Sequence, residues 1–456
     1  MLKSNYSFNY QDGAVVELEQ CLDEGKNVLC YSEEAREIDS MSIGSPERLQ
    51  RLHLFLDKLA CVSSDDALRR SEPNELENIR SIRPVYRKTD PLILSADKLY
   101  DKVYGAWLGR CAGCLLGKPL EGMTRSRILG ISKDTNNYPF NYYVSTDVSE
   151  EILARYDMMN HWAGLTYINY MKHAPMDDDT DFTIMGLRII KEYGTDFLPE
   201  DVAEAWLQNF PILRVCTAET VAYMNIVNKI YPPLSALFRN PYREWIGAQI
   251  RADIYGYITP GEPEMGAELA WRDASISHVR NGIYGAMFVA AMLSTAYSTP
   301  TIKDMIYAGL SQIPEHCRLS MCVQQVMEWK QKGLHWERAI DMVHSLFDEN
   351  ARHHAVHVIP NAMIVVLAIL YGEMDFEKTI STAALSGFDT DCNGATAGSI
   401  LGLLLGKKGL PSKWIDPLND LLDTGIPGYD TVRISELAKD TVNAIPVHIK
   451  EKLRIT

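Results

Sequence analysis

Apolar positions along this chain recur at helical spacing almost everywhere. In Pro46 to Ala60 they are Leu49, Leu52, Leu54, Phe55 and Leu59, and from Ser95 the stretch SADKLYDKVYGAWLG continues the same period. Ser95 has the short side chain that caps a helix N-terminus, with acids in the turn after it. Phe182, Met185, Ile189, Ile190 and Tyr193 form another stripe, which Gly194 ends. PEDVAEAWLQNF, EWIGAQIRADIYGY, NGIYGAMFVAAMLSTAY and NAMIVVLAILYG follow suit. A period of 3–4 residues turns one helix face to a core. No run of alternating residues bounded by hairpin turns appears. The pattern predicts an all-α fold. Between its first amphipathic segment and the rest lie SSDD, SEPNE and SIRPVYRKTDPLIL, rich in turn formers and carrying Pro84 and Pro91. This punctuation predicts an appended helical region with its linker over 1–97, the linker itself at about 82–96, and a helical domain over 98–456.

At 456 residues the chain is long enough for one large domain plus an extra piece. Apolar content of 46% and charged content of 23% are those of an ordinary globular protein. A net charge of −15 argues against a nucleic-acid backbone or an anionic membrane as partner. The nine cysteines, at 21, 30, 61, 111, 114, 216, 317, 322 and 392, show no framework spacing, which predicts reduced thiols and a cytoplasmic setting. The first twenty residues lack the apolar stretch of a signal peptide. The longest apolar run, Ala362 to Tyr371, is shorter than the roughly 20 residues a spanning helix needs.

Two glycine rows change the picture. Gly105, Gly109, Gly113 and Gly117 recur every four residues with Glu121 on the same row, and Gly394, Gly398, Gly402 and Gly406 repeat the device. Each glycine inside a helix costs about 1 kcal/mol relative to alanine. A face without side chains lets another backbone come close. Two such faces packed antiparallel place Glu121 beside the start of the second row, next to Asp389 and Asp391.

The acids are the candidate chemistry. GFDTDCNG at 387–394 has the beginning of a calcium loop, with Asp389, Asp391, Asn393 and Gly394 at its first positions, but Ile400 stands where the closing Glu belongs. The D-x-D-x-[TV] phosphatase pattern fails as well, with Asn393 at its last position and no strand before it. MDDDTDFT supplies Asp177, Asp178, Asp179 and Asp181 ahead of an apolar helix. One such run serves capping and the helix dipole. Three consecutive aspartates exceed that need and repel one another without a cation. With Glu121 and the D-x-D pair they make a set of hard oxygen donors suited to Mg²⁺, Mn²⁺ or Ca²⁺ and large enough for two ions.

These motifs, in this order, resemble the ADP-ribosylglycohydrolase family over about residues 98–410: the G-x3-G-x3-G-K-P-x-E stretch, then MDDDTDFT, then GFDTDCNGATAGSILG. The resemblance implies a large orthogonal helical bundle and a site with two Mg²⁺ ions (Mn²⁺ in some members). It implies hydrolysis at the anomeric carbon of an ADP-ribosyl group on an ADP-ribosylated or ribosylated substrate. Carried over, the metal ligands are Asp177, Asp178, Asp179, Asp389 and Asp391, with Cys392 where the family has Thr. Glu121, Asp178 and Asp391 are the implied catalytic residues, and Arg251, His278 and Asn281 the implied substrate contacts. Four departures stand out: Asp177 in place of Thr, Cys392 in place of Thr, Cys114 where an acid is usual, and EWIGAQIRAD where Gly-Asn-Gly is usual. A thiol is a poor ligand for a hard cation.

Other signals carry less. Cys111 and Cys114 form C-x-x-C on the glycine helix without a second pair for zinc and read as small buried residues. His353, His354 and His357 lack H-E-x-x-H and read as polar packing, with His357 behind the site. Tyr138, Phe140, Tyr142 and Tyr143 are stacking candidates or loop packing. Rival functions on the same residues are a nucleoside or ribosyl-metabolite N-glycohydrolase and a non-catalytic ADP-ribose binder; a calcium-binding structural protein is disfavoured by Ile400. The aglycone and the oligomeric state leave no signature in the sequence.

Overall fold

The computed structural model describes residues 13–85, 93–159, 166–298 and 301–453, and the middle of the expected linker, 86–92, lies outside them. The fold is all-α. Among the described residues the strands are Leu421–Asp423 and Thr431–Arg433, an antiparallel pair with Leu422 opposite Val432.

Nine of the helices carry the site or brace it. In the N-terminal region α1 is Gly13–Asp23 and α2 is Pro46–Ala60. In the body α3 is Ala96–Gly117, α4 Asp178–Tyr193, α5 Thr217–Val227 and α6 Asn281–Thr295. Then come α7 Val358–Gly372, α8 Phe376–Leu385 and α9 Thr390–Leu405. Every residue of α6 is buried, and α7 is buried apart from Leu370 and Tyr371. Helices apolar all round belong at the centre, and these two form it. Amphipathic α8 packs against α7, and α4 turns one face to the same core.

The two glycine rows meet. A Cβ on Gly105 would stand 2.4 Å from the carbonyl oxygen of Gly402, one on Gly109 2.1 Å from that of Gly398, and one on Gly113 1.9 Å from that of Gly394. One on Gly117 would stand 2.2 Å from the carbonyl oxygen of Thr390. The pairing descends on one helix as it rises on the other, so α3 and α9 run antiparallel with their backbones in direct contact. No residue with a side chain fits there. Glu121, just past the end of α3, is thereby brought to the start of α9.

The N-terminal region has its own small apolar cluster, including Leu18, Cys21, Leu52, Phe55 and Leu59. Val16 of α1 joins Ala218, Val221, Tyr242 and Trp245 of the body. Buried ion pairs complete the seam: Arg243 binds Glu17 at 2.6 Å and Glu24 at 2.7 Å, and Arg318 binds Glu72 at 2.9 Å and Glu244 at 2.8 Å.

Candidate metal centre and active site

Three chain segments converge on one carboxylate cage. The first leaves α3. Thr390 donates its hydroxyl to the carbonyl of Gly117 at 2.9 Å, the chain tightens into the single turn Lys118–Leu120, and Glu121 comes next. The second is the start of α4. Asp177 is its N-cap, accepting from the backbone N–H of Asp179 at 2.9 Å, and Asp178 and Asp179 occupy the first turn. The third is the start of α9. Gly387 and Phe388 take positive φ (75° and 57°), turning the chain sharply into Asp389 just before the helix. Asn361 of α7 fixes this segment, its side-chain oxygen accepting from Asp389 N at 3.2 Å and from Asn393 Nδ2 at 2.8 Å. The calcium-loop look of 387–394 is thus a turn and a helix start, with Gly394 spent on packing against Gly113.

Ligand atoms of Glu121, Asp389 and Asp391 lie within 4.8 Å of one another, as do those of Asp179, Asp391 and Cys392, and those of Cys114, Asp177 and Asp179. Asp179, Asp391, Asp177 and Asp389 are buried, at 0, 1, 4 and 8% exposure, while Glu121 and Asp178 are half-buried. Asp179 Oδ2, Asp389 Oδ1 and Asp391 Oδ1 are buried without a hydrogen-bond partner. Oxygens of this kind normally find a donor or bind an ion, because leaving them bare carries a desolvation penalty of about 1–3 kcal/mol or more each. A hard divalent cation fits them.

The electrostatics agree. Burial first, and then the neighbouring Asp391, push the carboxyls of Glu121 and Asp389 well above their ordinary range. Burial also lifts Asp179 far up, against the pull of Arg110, and raises Asp178 to about 8 with help from Asp177. Asp391 alone is held low: Lys118 and hydrogen bonds from Glu121 and Asp389 outweigh its burial. Six acids this close ionise together only when positive charge is brought in.

Residues that the motifs alone did not single out organise the cage. Lys118 reaches Asp177 Oδ2 at 2.7 Å, Glu121 Oε2 at 2.8 Å and Asp391 Oδ2 at 2.9 Å. Arg110 of α3, fully buried, donates to the Asp179 carbonyl at 2.7 and 3.0 Å and to the carbonyl of Ile250. It also pairs with Asp179 Oδ1 at 3.1 Å and with Asp253 at 3.0 Å. Both lie in or directly after the glycine-row helix, the one place where the sequence pointed to them.

The predicted substrate contacts are placed differently. Arg251 is 1% exposed and spends its guanidinium on Glu219 at 2.7 Å, on Ser277 Oγ at 2.7 Å, and on the carboxylate and carbonyl of Asp273. Asn281 is buried, donating to Glu244 at 2.8 Å and accepting from Leu319 N at 3.1 Å. His278 is buried, with Nδ1 2.8 Å from Ser277 Oγ and Nε2 3.9 Å from Glu219. All three are interior residues, engaged by neighbouring protein groups. Among the aromatics, Phe140 and Tyr143 are core, Tyr143 donating to the Trp414 carbonyl at 2.5 Å. Burial lifts the Cys392 and Cys114 thiols far above their usual value, so both present neutral sulfur beside the acids.

A solved structure described as an ADP-ribosylglycohydrolase-related protein complex resembles this chain at 16% identity and a TM-score of 0.47, covering 79% of this chain and 100% of its own. No curated protein matches. The family model for ADP-ribosylglycohydrolase matches residues 95–450, which span all three segments of the cage, and the chain belongs to that family.

Proposed function

We propose that this protein is a divalent-metal-dependent hydrolase that cleaves the glycosidic bond at the anomeric carbon of an ADP-ribosyl group. The observation that supports this most is the set of bare inward oxygens on Asp179, Asp389 and Asp391. A cation bound there supplies Lewis acidity and offsets the charge of the diphosphate. Glu121, Asp389 and Asp391 are the ligands on one side of the cage, and Asp177 and Asp179 line the other. Asp178 and Glu121, the half-buried members, are the carboxyls least enclosed by the protein and would serve a ribose hydroxyl or an attacking water as acceptor or proton carrier. The buried acids exclude water from the floor, which strengthens every electrostatic contact made there. Arg110 and Asn361 hold Asp179 and Asp389 in register.

The test is chromatographic release of ADP-ribose from ADP-ribosyl-arginine, ADP-ribosyl-serine and ribonucleoside substrates, with Mg²⁺, Mn²⁺ or EDTA. Turnover of an ADP-ribosyl substrate that EDTA abolishes is the expected result. Turnover of nucleosides alone moves the substrate, and no turnover of any ribosyl compound overturns the reading.

A further inference from the structure

The most unusual member of the cage is its lysine. Lys118 follows Gly117 directly, so the backbone contact between Gly117 and Thr390 anchors its main chain. Its side chain is 13% exposed and its ammonium meets three carboxylates from all three segments at 2.7–2.9 Å. On the Asp177 side it has a specific task. Asp177 Oδ1 is used by the N–H of Asp179, and Oδ2, which has no hydrogen-bond partner, has the Lys118 charge against it. Withdrawing the ammonium strands that oxygen in a buried place.

The two sides of the cage also differ in donor chemistry. Around Asp177 and Asp179 the ligand atoms in range include the sulfurs of Cys114 and Cys392. Around Asp389 they are Glu121 and Asp391, oxygen throughout. Hard cations such as Mg²⁺ and Mn²⁺ prefer oxygen to sulfur ligands. On the thiol-lined side the fixed ammonium stands 2.7 Å from an Asp177 oxygen that has no other partner.

Resting on the proposed reading of the site, we infer that Lys118 acts as a built-in monovalent cation on the Asp177 side, so that the chain binds one divalent cation, at Glu121, Asp389 and Asp391, where the carboxylates by themselves have room for two. The ammonium also bridges Glu121 to Asp391, positioning both toward that single ion.

The experiment is a Mn²⁺ titration of the full chain, with bound metal counted by mass spectrometry and its environment read by electron paramagnetic resonance. The wild type should bind one Mn²⁺ per chain and show the uncoupled sextet of an isolated ion. Lys118→Met, which keeps the length and removes the charge, should bind two and show the broadened spectrum of an exchange-coupled pair. Two bound ions or a coupled pair in the wild type overturns the inference, as does a count that stays at one in Lys118→Met. If Lys118→Met does not fold by circular dichroism, Lys118→Gln serves in its place. Mn²⁺ binding to neither protein overturns the metal reading of the cage itself, a separate outcome from two ions in the wild type.

Discussion

The carboxylate cage and a second cluster, Asp23, His353 and His357, both gather metal-binding residue types within 4.8 Å, and they differ in what stands behind each donor atom. At His353 the indole N–H of Trp245 donates to Nδ1 at 3.1 Å, and at His357 the backbone N–H of Ile359 donates to Nδ1 at 3.2 Å. Both partners are donors only, so each ring carries its proton on Nε2. Those two Nε2 atoms sit 3.1 and 3.7 Å from Asp23 Oδ2. Their lone pairs face Trp245 and Ile359, and the atoms facing the centre are N–H groups that a metal cannot use. In the cage the reverse holds. Asp179 is gripped from behind by Arg110, the main chain at Asp389 by Asn361, and oxygens are left bare in front. The partners behind the ligands decide whether a cluster of ligand types is a metal site or a hydrogen-bonded clamp. The Asp23 cluster is a clamp between α1 and the body, closed by the His353–Asp23 hydrogen bond, with His357 Nε2 beside it at 3.7 Å and without a hydrogen bond.

The largest expected effect separates the two clusters outright. Asp389→Ala or EDTA should lower turnover by about 10³-fold or more, since a lost metal removes several kcal/mol of transition-state stabilisation. Asp23→Asn should leave turnover within a few-fold and the Mn²⁺ count unchanged. Comparable losses from the two variants, measured by ADP-ribose release, would break the distinction.

Next comes the backbone contact that only the cage depends on. In Gly113→Ala the new methyl group meets the Gly394 carbonyl at 1.9 Å, so α3 and α9 must separate. Overpacking of this kind costs about 1–3 kcal/mol. Separation also draws Glu121 and Lys118 away from Asp391. Thermal unfolding and Mn²⁺ affinity should therefore fall together. A loss of stability with metal affinity intact would show that the cage tolerates movement of its two helices.

That contact is also where the sequence was most informative. Rows of glycine every four residues, followed by Glu121 on one side and preceded by D-x-D on the other, were enough to pair two helices 273 residues apart at Lys118 and Asp391. The all-α class was legible because helical periodicity repeats in every long segment. The acids were legible because consecutive aspartates repel and so need a reason. Arg251, His278 and Asn281 came from the resemblance, which does not say how a side chain is engaged: Arg251 and Asn281 are taken up by buried acids, and His278 meets the Ser277 hydroxyl through Nδ1. Lys118 was overlooked for a related reason. A lysine beside a Pro reads as surface, and its burial follows from three carboxylates converging from elsewhere.

A smaller effect is expected at the clamp. His353→Ala removes the partner of Trp245 Nε1 and of Asp23, leaving a buried indole N–H unsatisfied at a cost of about 1–3 kcal/mol. The midpoint of chemical denaturation should fall accordingly with the Mn²⁺ count unchanged. A fall in metal content would make the cluster a metal site after all.

The smallest effect concerns the pH dependence of the same seam. Burial raises the Glu24 carboxyl, but the charge of Arg243 and its hydrogen bond at 2.7 Å win, bringing it down from 4.5 to about 2. A folded value below the unfolded one means that the unfolded chain takes up the proton first. The pair's contribution is therefore complete above about 4.5 and declines as the pH falls toward 2. Glu24→Gln, which leaves Arg243 paired with Glu17 alone, should lower the unfolding temperature by a constant amount between pH 6 and 7. Below about pH 4.5 the gap to the wild type should narrow, because the wild type loses the contribution the variant already lacks. A gap that widens on acidification would mean that Glu24 is bound as the neutral acid, and that the seam between α1 and the body is held by hydrogen bonds without charge.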